Sequence, residues 1–276
     1  MIFVYSAWDE FCKNLKDKGL VSIPACEVKS SADAYLVLKH DIENNVKRSY
    51  RLAEIEKKYG HRGSYYVHAY LLEDTKNVDM LKKMQDMGHE ISYHYDVMDS
   101  NHGDIDSAII EFEENKKKFE ACGFKLHTVC QHGNPVVERV GYTSNRDFFR
   151  NEKVQKIFPE LADIMVDFKK KYATDYVYYS DAGRRFNMIF DPINNDIINS
   201  DDKNIPYENL NQLIQKINKN SRVIISTHPH RWTESVFEYI CKEKVFKIIR
   251  RLAKIALKVP FLKRVMNRYY YLAKKI

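Results

Sequence analysis

Residues 34–60 begin with Ala34-Tyr-Leu-Val-Leu-Lys39 and His40-Asp-Ile-Glu43. They continue with Val46-Lys-Arg-Ser-Tyr-Arg-Leu-Ala-Glu-Ile-Glu-Lys-Lys-Tyr59 and close on Gly60. The first run is short, apolar and β-rich, so it reads as a strand. The polar quartet ends it, and residues 46–59 carry apolar positions at helical spacing, with Gly60 as the stop signal. The same unit recurs downstream. Ser64-Tyr-Tyr-Val-His68 is followed by a helix over 77–87 closed by Gly88. Glu90-Ile-Ser-Tyr-His94 is followed by a helix over 104–121 that ends near Gly123, and Leu126-His-Thr-Val-Cys130 is the next strand. After a less regular stretch come Asp175-Tyr-Val-Tyr-Tyr179, a helix over 207–218, and Arg222-Val-Ile-Ile-Ser-Thr227. Strand–helix alternation predicts an α/β fold with a mostly parallel sheet, open or closed into a barrel.

Composition agrees with a folded chain of one or two domains. The 276 residues are 44% apolar, 30% charged and 13% aromatic, too rich in aromatics for disorder. No run reaches the about 18 apolar residues of a membrane span. The first residues lack the basic and then apolar pattern of a secretory signal. Five scattered cysteines (Cys12, Cys26, Cys122, Cys130 and Cys241) without a CxxC pair predict reduced thiols and a cytoplasmic setting. Charge is uneven. Residues 242–276 hold twelve Lys/Arg and one acidic residue, Glu243, which is +11, while the preceding 241 residues carry −4. A mildly acidic body excludes a nucleic-acid reader with a basic working face. The expected division is a barrel domain at 1–235 and a basic amphipathic helical tail at 236–276.

In parallel α/β folds the loops at the carboxyl ends of the strands build the site. Here those ends carry His40-Asp41-Ile42-Glu43, His94-Tyr95-Asp96, His132-Gly133-Asn134-Pro135 and His228-Pro229-His230. One histidine after a strand is ordinarily structural, whereas four at separate strand ends would meet at one rim. Imidazole nitrogen and carboxylate oxygen suit zinc and other divalent transition metals. With three protein ligands and an open position, such a site activates water. If the strand continues past Asp41, residues 41 and 43 share a face, and one carboxylate binds metal while the other takes a proton. If the chain turns there, Glu43 caps the next helix.

The motifs resemble those of the polysaccharide deacetylase (NodB-homology) superfamily. Gly88-His-Glu-Ile-Ser-Tyr-His94 is similar to its second motif, and His40-Asp41-Ile42-Glu43 to the H-D-x-D/E form of its first. Gln131-His-Gly-Asn-Pro135 stands where the third belongs, and Ser226-Thr-His-Pro-His-Arg-Trp232 where the last histidine motif belongs. The order is kept over about residues 35–232. The resemblance implies a deformed (β/α) barrel and a metal-dependent hydrolase that removes an N-acyl group, taken as acetyl, from a sugar. It makes Asp41 a metal ligand or the general base, His94 a ligand, and His228 the acid that protonates the leaving amine. The chain departs from the pattern at Met98, where a second histidine is usual, and at Gln131-His132, where arginine is usual. The third ligand is then His132, before Glu43 and His102.

The working assignment is metal on Asp41, His94 and His132, with His228 and Glu43 as the proton-transfer pair and zinc as the metal. His40 is a positioning residue, His230 a loop or positioning residue and not a ligand, His89 lies at the far end of its strand, and His68 lines the cleft without a specified role. Ser180-Asp-Ala-Gly-Arg-Arg-Phe186 is similar to a segment of such divergent members. Asp181 and Arg184 there would orient a sugar hydroxyl or phosphate, or lie in a plain surface loop, and Trp232 would stack on a pyranose. The expected substrate is an N-acylated sugar, nucleotide-linked, lipid-linked or polymeric. The rival reading keeps the fold without the chemistry: a glycan-binding or scaffold protein with a degenerate site. Two basic amphipathic helices, broken at Pro260, would either lie on an anionic inner membrane face or pack on the barrel.

Overall fold

A computed structural model describes residues 2–29, 33–134, 137–169, 175–197 and 203–256. Helix α1 (Tyr5–Asp17) is followed by β1 (Tyr35–Ile42), α2 (Val46–Lys58), β2 (Ser64–Val67), α3 (Thr75–Asp86) and β3 (Glu90–Tyr95). Next come α4 (Val97–Ser100), α5 (Ile105–Ala121), β4 (Thr128–Gln131), α6 (Asp147–Arg150), α7 (Glu152–Ile157) and β5 (Ala162–Asp163). The chain continues through β6 (Val177–Ser180), β7 (Asn187–Met188), β8 (Ile205–Pro206), α8 (Leu210–Lys216), β9 (Arg222–Thr227) and α9 (Val236–Ala256). The sheet order is β5-β4-β3-β2-β1-β9-β6-β7-β8, parallel from β5 to β6 and antiparallel at β7 and β8. Among the described residues β5 and β8 stand at the two ends of that order. The alternation read from the sequence is therefore present, with most boundaries within two residues.

Every residue of β1 is buried, as expected for a parallel strand covered on both faces. Side chains alternate. Leu36 and Leu38 join Trp8, Phe11 and Leu15 of α1, Leu213 of α8, and Val223 and Ile225 of β9. Tyr35 and Val37 face the other way, with Tyr66, Cys130, Tyr178 and Ile224. A third apolar cluster lies under α3 and α5, where Phe112 meets Tyr93, Tyr95, Phe148, Phe149 and Phe158.

On the helix-facing side, Glu56 of α2 is fully buried. It accepts from Trp8 Nε1 at 3.0 Å and Tyr65 Oη at 3.0 Å, and His40 Nε2 lies 2.9 Å from it. Burial raises its pKa, but His40, His89 and the Tyr65 hydroxyl together bring it below the usual glutamate value. A depressed carboxyl pKa contributes stability that is present above the unfolded value and lost as pH falls through the folded one. Glu56→Gln is expected to destabilise the chain at neutral pH and to flatten the acid limb of its stability profile. Chemical denaturation from pH 7 to pH 3 checks this, and an unchanged acid limb would contradict it.

The N-terminal segment, for which the sequence made no prediction, is tied to the chain that follows β9. Val4 pairs with Thr233, and Tyr5 N–H donates to Thr233 O at 3.0 Å. Helix α9 starts at Val236, before the basic segment proper. The expected Pro260 break and second tail helix lie outside the described residues.

Candidate active site

The carboxyl ends of β1, β2, β3, β4, β6 and β9 all point to one rim, because these six strands run parallel. Glu43 follows β1, His68 follows β2, His94 belongs to β3, His132 follows β4, Asp181 follows β6 and His228 follows β9. Strand-end positions scattered over 186 residues of chain thus meet.

His68, His94 and His132 are buried, and each offers a ring nitrogen within 4.8 Å of the others. His94 Nδ1 lies 3.0 Å from the Cys130 carbonyl, so it donates there and leaves Nε2 bare. Burial pushes the His94 pKa well below its ordinary value, with His68 and His132 adding to the effect against the attraction of Asp41. His132 Nδ1 is buried without a hydrogen-bond partner among the described residues. Convergent imidazoles and an orphaned ring nitrogen are what a tetrahedral divalent ion with one open position requires. The donor set fits such a metal. Asp41, His94 and Cys130 form a second group within the same reach.

The first motif settles between its two readings in a particular way. β1 runs to Ile42, the chain bends at Glu43, and Asn45 stands at the helix N-terminus without a side-chain cap. Glu43 is not a helix cap. Its carboxylate lies 3.6 Å from His132 Nε2, 3.7 Å from His228 Nε2 and 3.7 Å from His230 Nδ1. Burial raises its pKa, and the three imidazoles outweigh that and hold it well below the usual value.

Asp41 is placed differently from the expectation of a free metal ligand. The Lys39 ammonium, itself 1% exposed, lies 2.6 and 2.5 Å from its two oxygens. Burial raises the Asp41 pKa, and Lys39, His94 and His228 bring it down to about 2. His228 Nε2 stands 3.9 Å from Asp41 and faces the same space as Glu43.

Asp181 is a correction to the substrate-binding assignment. It is fully buried and accepts from His228 Nδ1 at 2.5 Å, His228 N–H at 2.9 Å, Thr227 Oγ1 at 2.7 Å and Arg231 at 2.8 Å. With that many partners it holds His228 and has no face for a sugar. Burial works against its ionisation, but Arg231 and His228 keep it anionic, far below the usual aspartate range. Trp232 is a second correction. It is fully buried, donates from Nε1 to Thr227 Oγ1 at 2.8 Å, and packs edge-on against Trp8 and Phe3. No ring face is left for a pyranose. Arg184 pairs with Glu243 of α9 and stacks 3.7 Å above the Phe246 ring, so it is engaged by the C-terminal helix.

His68, Lys39 and the positioning role of Asp181 escaped the motif reading. His68 could have been found by applying the strand-end rule to β2 as strictly as to the others. Of the remaining histidines, His89 Nδ1 accepts from Gly63 N–H at 2.9 Å, away from the rim. His230 is half-buried beside Glu43, and desolvation lowers its pKa to about 4. His102 sits after α4 with a left-handed backbone, φ 50°.

No family model and no curated protein sequence matches the chain. Among solved structures, one similar to it is a mutant of a CE4-family pseudoenzyme with restored enzymatic activity, at 14% identity and TM-score 0.39, covering 81% of this chain and 65% of that one. Another is peptidoglycan deacetylase PdaC from Bacillus subtilis, at 11% identity and TM-score 0.36, covering 82% and 98%. A point mutant of PdaC matches at 10% identity and TM-score 0.38, with the same coverage. The chain thus spans about two thirds of the first of these.

Proposed function

We propose that the chain is a metal-dependent hydrolase that removes an N-acyl group, specifically acetyl, from a sugar. The observation that carries this is the pairing of a carboxylate-held histidine with a second carboxylate across a three-histidine cradle. His68, His94 and His132 would hold the ion. Bound there, a divalent metal, zinc by donor type, supplies carbonyl polarisation and a more acidic water. Glu43, 29% exposed and ringed by imidazoles, takes the proton of the attacking water. His228 Nε2, 3.7 Å from Glu43, gives a proton to the leaving nitrogen. Asp181 accepts from Nδ1, which fixes the ring so that Nε2 faces the substrate.

The test is acetate release from N-acetylated sugars presented free, nucleotide-linked, lipid-linked and as polymer, before and after chelation. Release from none of them would overturn the proposal. Lys39 beside Asp41, with Met98 in place of the usual second histidine, favours the degenerate, glycan-binding alternative. Metal analysis separates the two, because the hydrolase should hold about one ion per chain.

The tail belongs to this proposal as a separate segment, 236–276. Phe237, Val245 and Ile248 of α9 are exposed among lysines, and no helix of the described residues is long and apolar enough to cross a membrane. Such a basic, apolar-striped segment would rest on the anionic inner membrane face and bring the enzyme to a lipid-linked substrate. Each basic residue near such a surface is worth about 1 kcal/mol at low salt, so a few of the twelve suffice for reversible attachment. Co-sedimentation is expected with anionic and not neutral vesicles, weaker at high salt, and lost in a chain ending at Cys241. Equal binding by the two chains would sink the idea.

A further inference from the structure

Two groups of metal-ligating side chains meet at His94: His68/His94/His132 and Asp41/His94/Cys130. They cannot both be filled. His94 Nδ1 is committed to the Cys130 carbonyl at 3.0 Å, so only Nε2 remains, and one nitrogen serves one ion. What decides between the groups is Lys39. Alternation along β1 puts Lys39 and Asp41 on the same face as Val37, above the apolar cluster of Tyr66, Cys130 and Tyr178. A lysine at that height is buried with its charge. Its ammonium has three N–H groups, lies 2.6 and 2.5 Å from the Asp41 oxygens and donates to Ser226 Oγ at 3.3 Å. The Cys130 thiol also borders the same ammonium. The anionic ligand of the second group is therefore already neutralised by a covalently attached cation, and a divalent ion brought to Asp41 would meet a like charge in a water-poor space.

We propose that Lys39 is the resident cation of the Asp41/His94/Cys130 group, and that it confines a divalent metal to the three histidines. The second half rests on the metal reading given above; the first does not. Lys39 is in this sense a positioning residue. It fixes Asp41, and it sets which donor types the metal sees: nitrogen and not sulfur.

Cobalt(II) distinguishes the two groups, because thiolate ligation produces a sulfur-to-cobalt charge-transfer absorption that imidazole ligation lacks. Wild type, Lys39→Met and Lys39→Met/Cys130→Ser are loaded with cobalt(II) and compared by metal analysis and absorption spectroscopy. Wild type is expected to hold about one cobalt without the sulfur band. Lys39→Met should gain the band, and the double variant should lose it again. A sulfur band already present in wild type overturns the proposal, as does a Lys39→Met spectrum identical to wild type. If wild type takes up no cobalt while Lys39→Met does so with the band, the role of Lys39 stands and the three-histidine reading falls. No uptake by either chain overturns both. Lys39→Met leaves the Asp41 carboxylate buried without its partner. Should that chain fail to fold, Lys39→Gln, whose neutral amide still donates to Asp41, is read on the same terms.

Discussion

Replacing His228 by alanine is expected to lower kcat for amide cleavage by about 10²–10⁴-fold, the usual contribution of a positioned general acid or base. The fold should survive, since the ring is partly exposed at the rim and its main anchor is Asp181. Asp181→Asn should cost a comparable amount by a different route. An amide in place of the carboxylate no longer fixes His228 Nδ1 as the donor, and it leaves Arg231 without its buried counter-charge. Because the two side chains act as a unit, the double variant should be no slower than the slower single one. Steady-state kinetics on all three chains checks this. Additive losses would mean that Asp181 does not act through His228.

Replacing His94 by alanine should remove the metal outright. It is the one side chain common to both ligand groups, and its ring is already neutral and oriented by Cys130. Activity should fall by more than the about 10–100-fold that loss of an outer partner costs a metal site. Metal content, measured after extensive dialysis, should drop from about one ion per chain toward zero. The pH dependence follows from burial, which depresses the His94 pKa well below its ordinary value against the pull of Asp41. Protons compete for a ligand nitrogen only below its pKa, so His94 should not be the ligand that gives way near pH 6.5, where a free imidazole titrates. A His94 ring seen by NMR to titrate there in the metal-free chain would contradict this account.

Much of the architecture was legible in the residues themselves. The change between period-2 and period-3.6 patterning marked β1 through α5, and glycines 60, 88 and 123 ended the helices. Each of the three has a positive φ, between 81° and 95°, where a side chain would be strained. The strand-end rule then placed Glu43, His94, His132 and His228 on one rim, because parallel strands share a direction whatever their order. Lys39 shares a strand face with Asp41 by the same alternation, but the motif reading passed over it. Burial was not legible. Nothing local distinguishes a tryptophan that stacks on a sugar from one, like Trp232, that fills the space between α1 and the chain after β9. Lateral neighbours were not legible either. Asp181 lies under His228 because β6 pairs with β9 in a register that sets Ser180 against Ser226. His68 joins His94 because β2 lies beside β3. The sequence by itself determined which side chains reach the rim, since that depends on strand direction and side-chain period. Only the tertiary structure decided which of them touch, since strand order and register are set by packing between segments far apart in the chain.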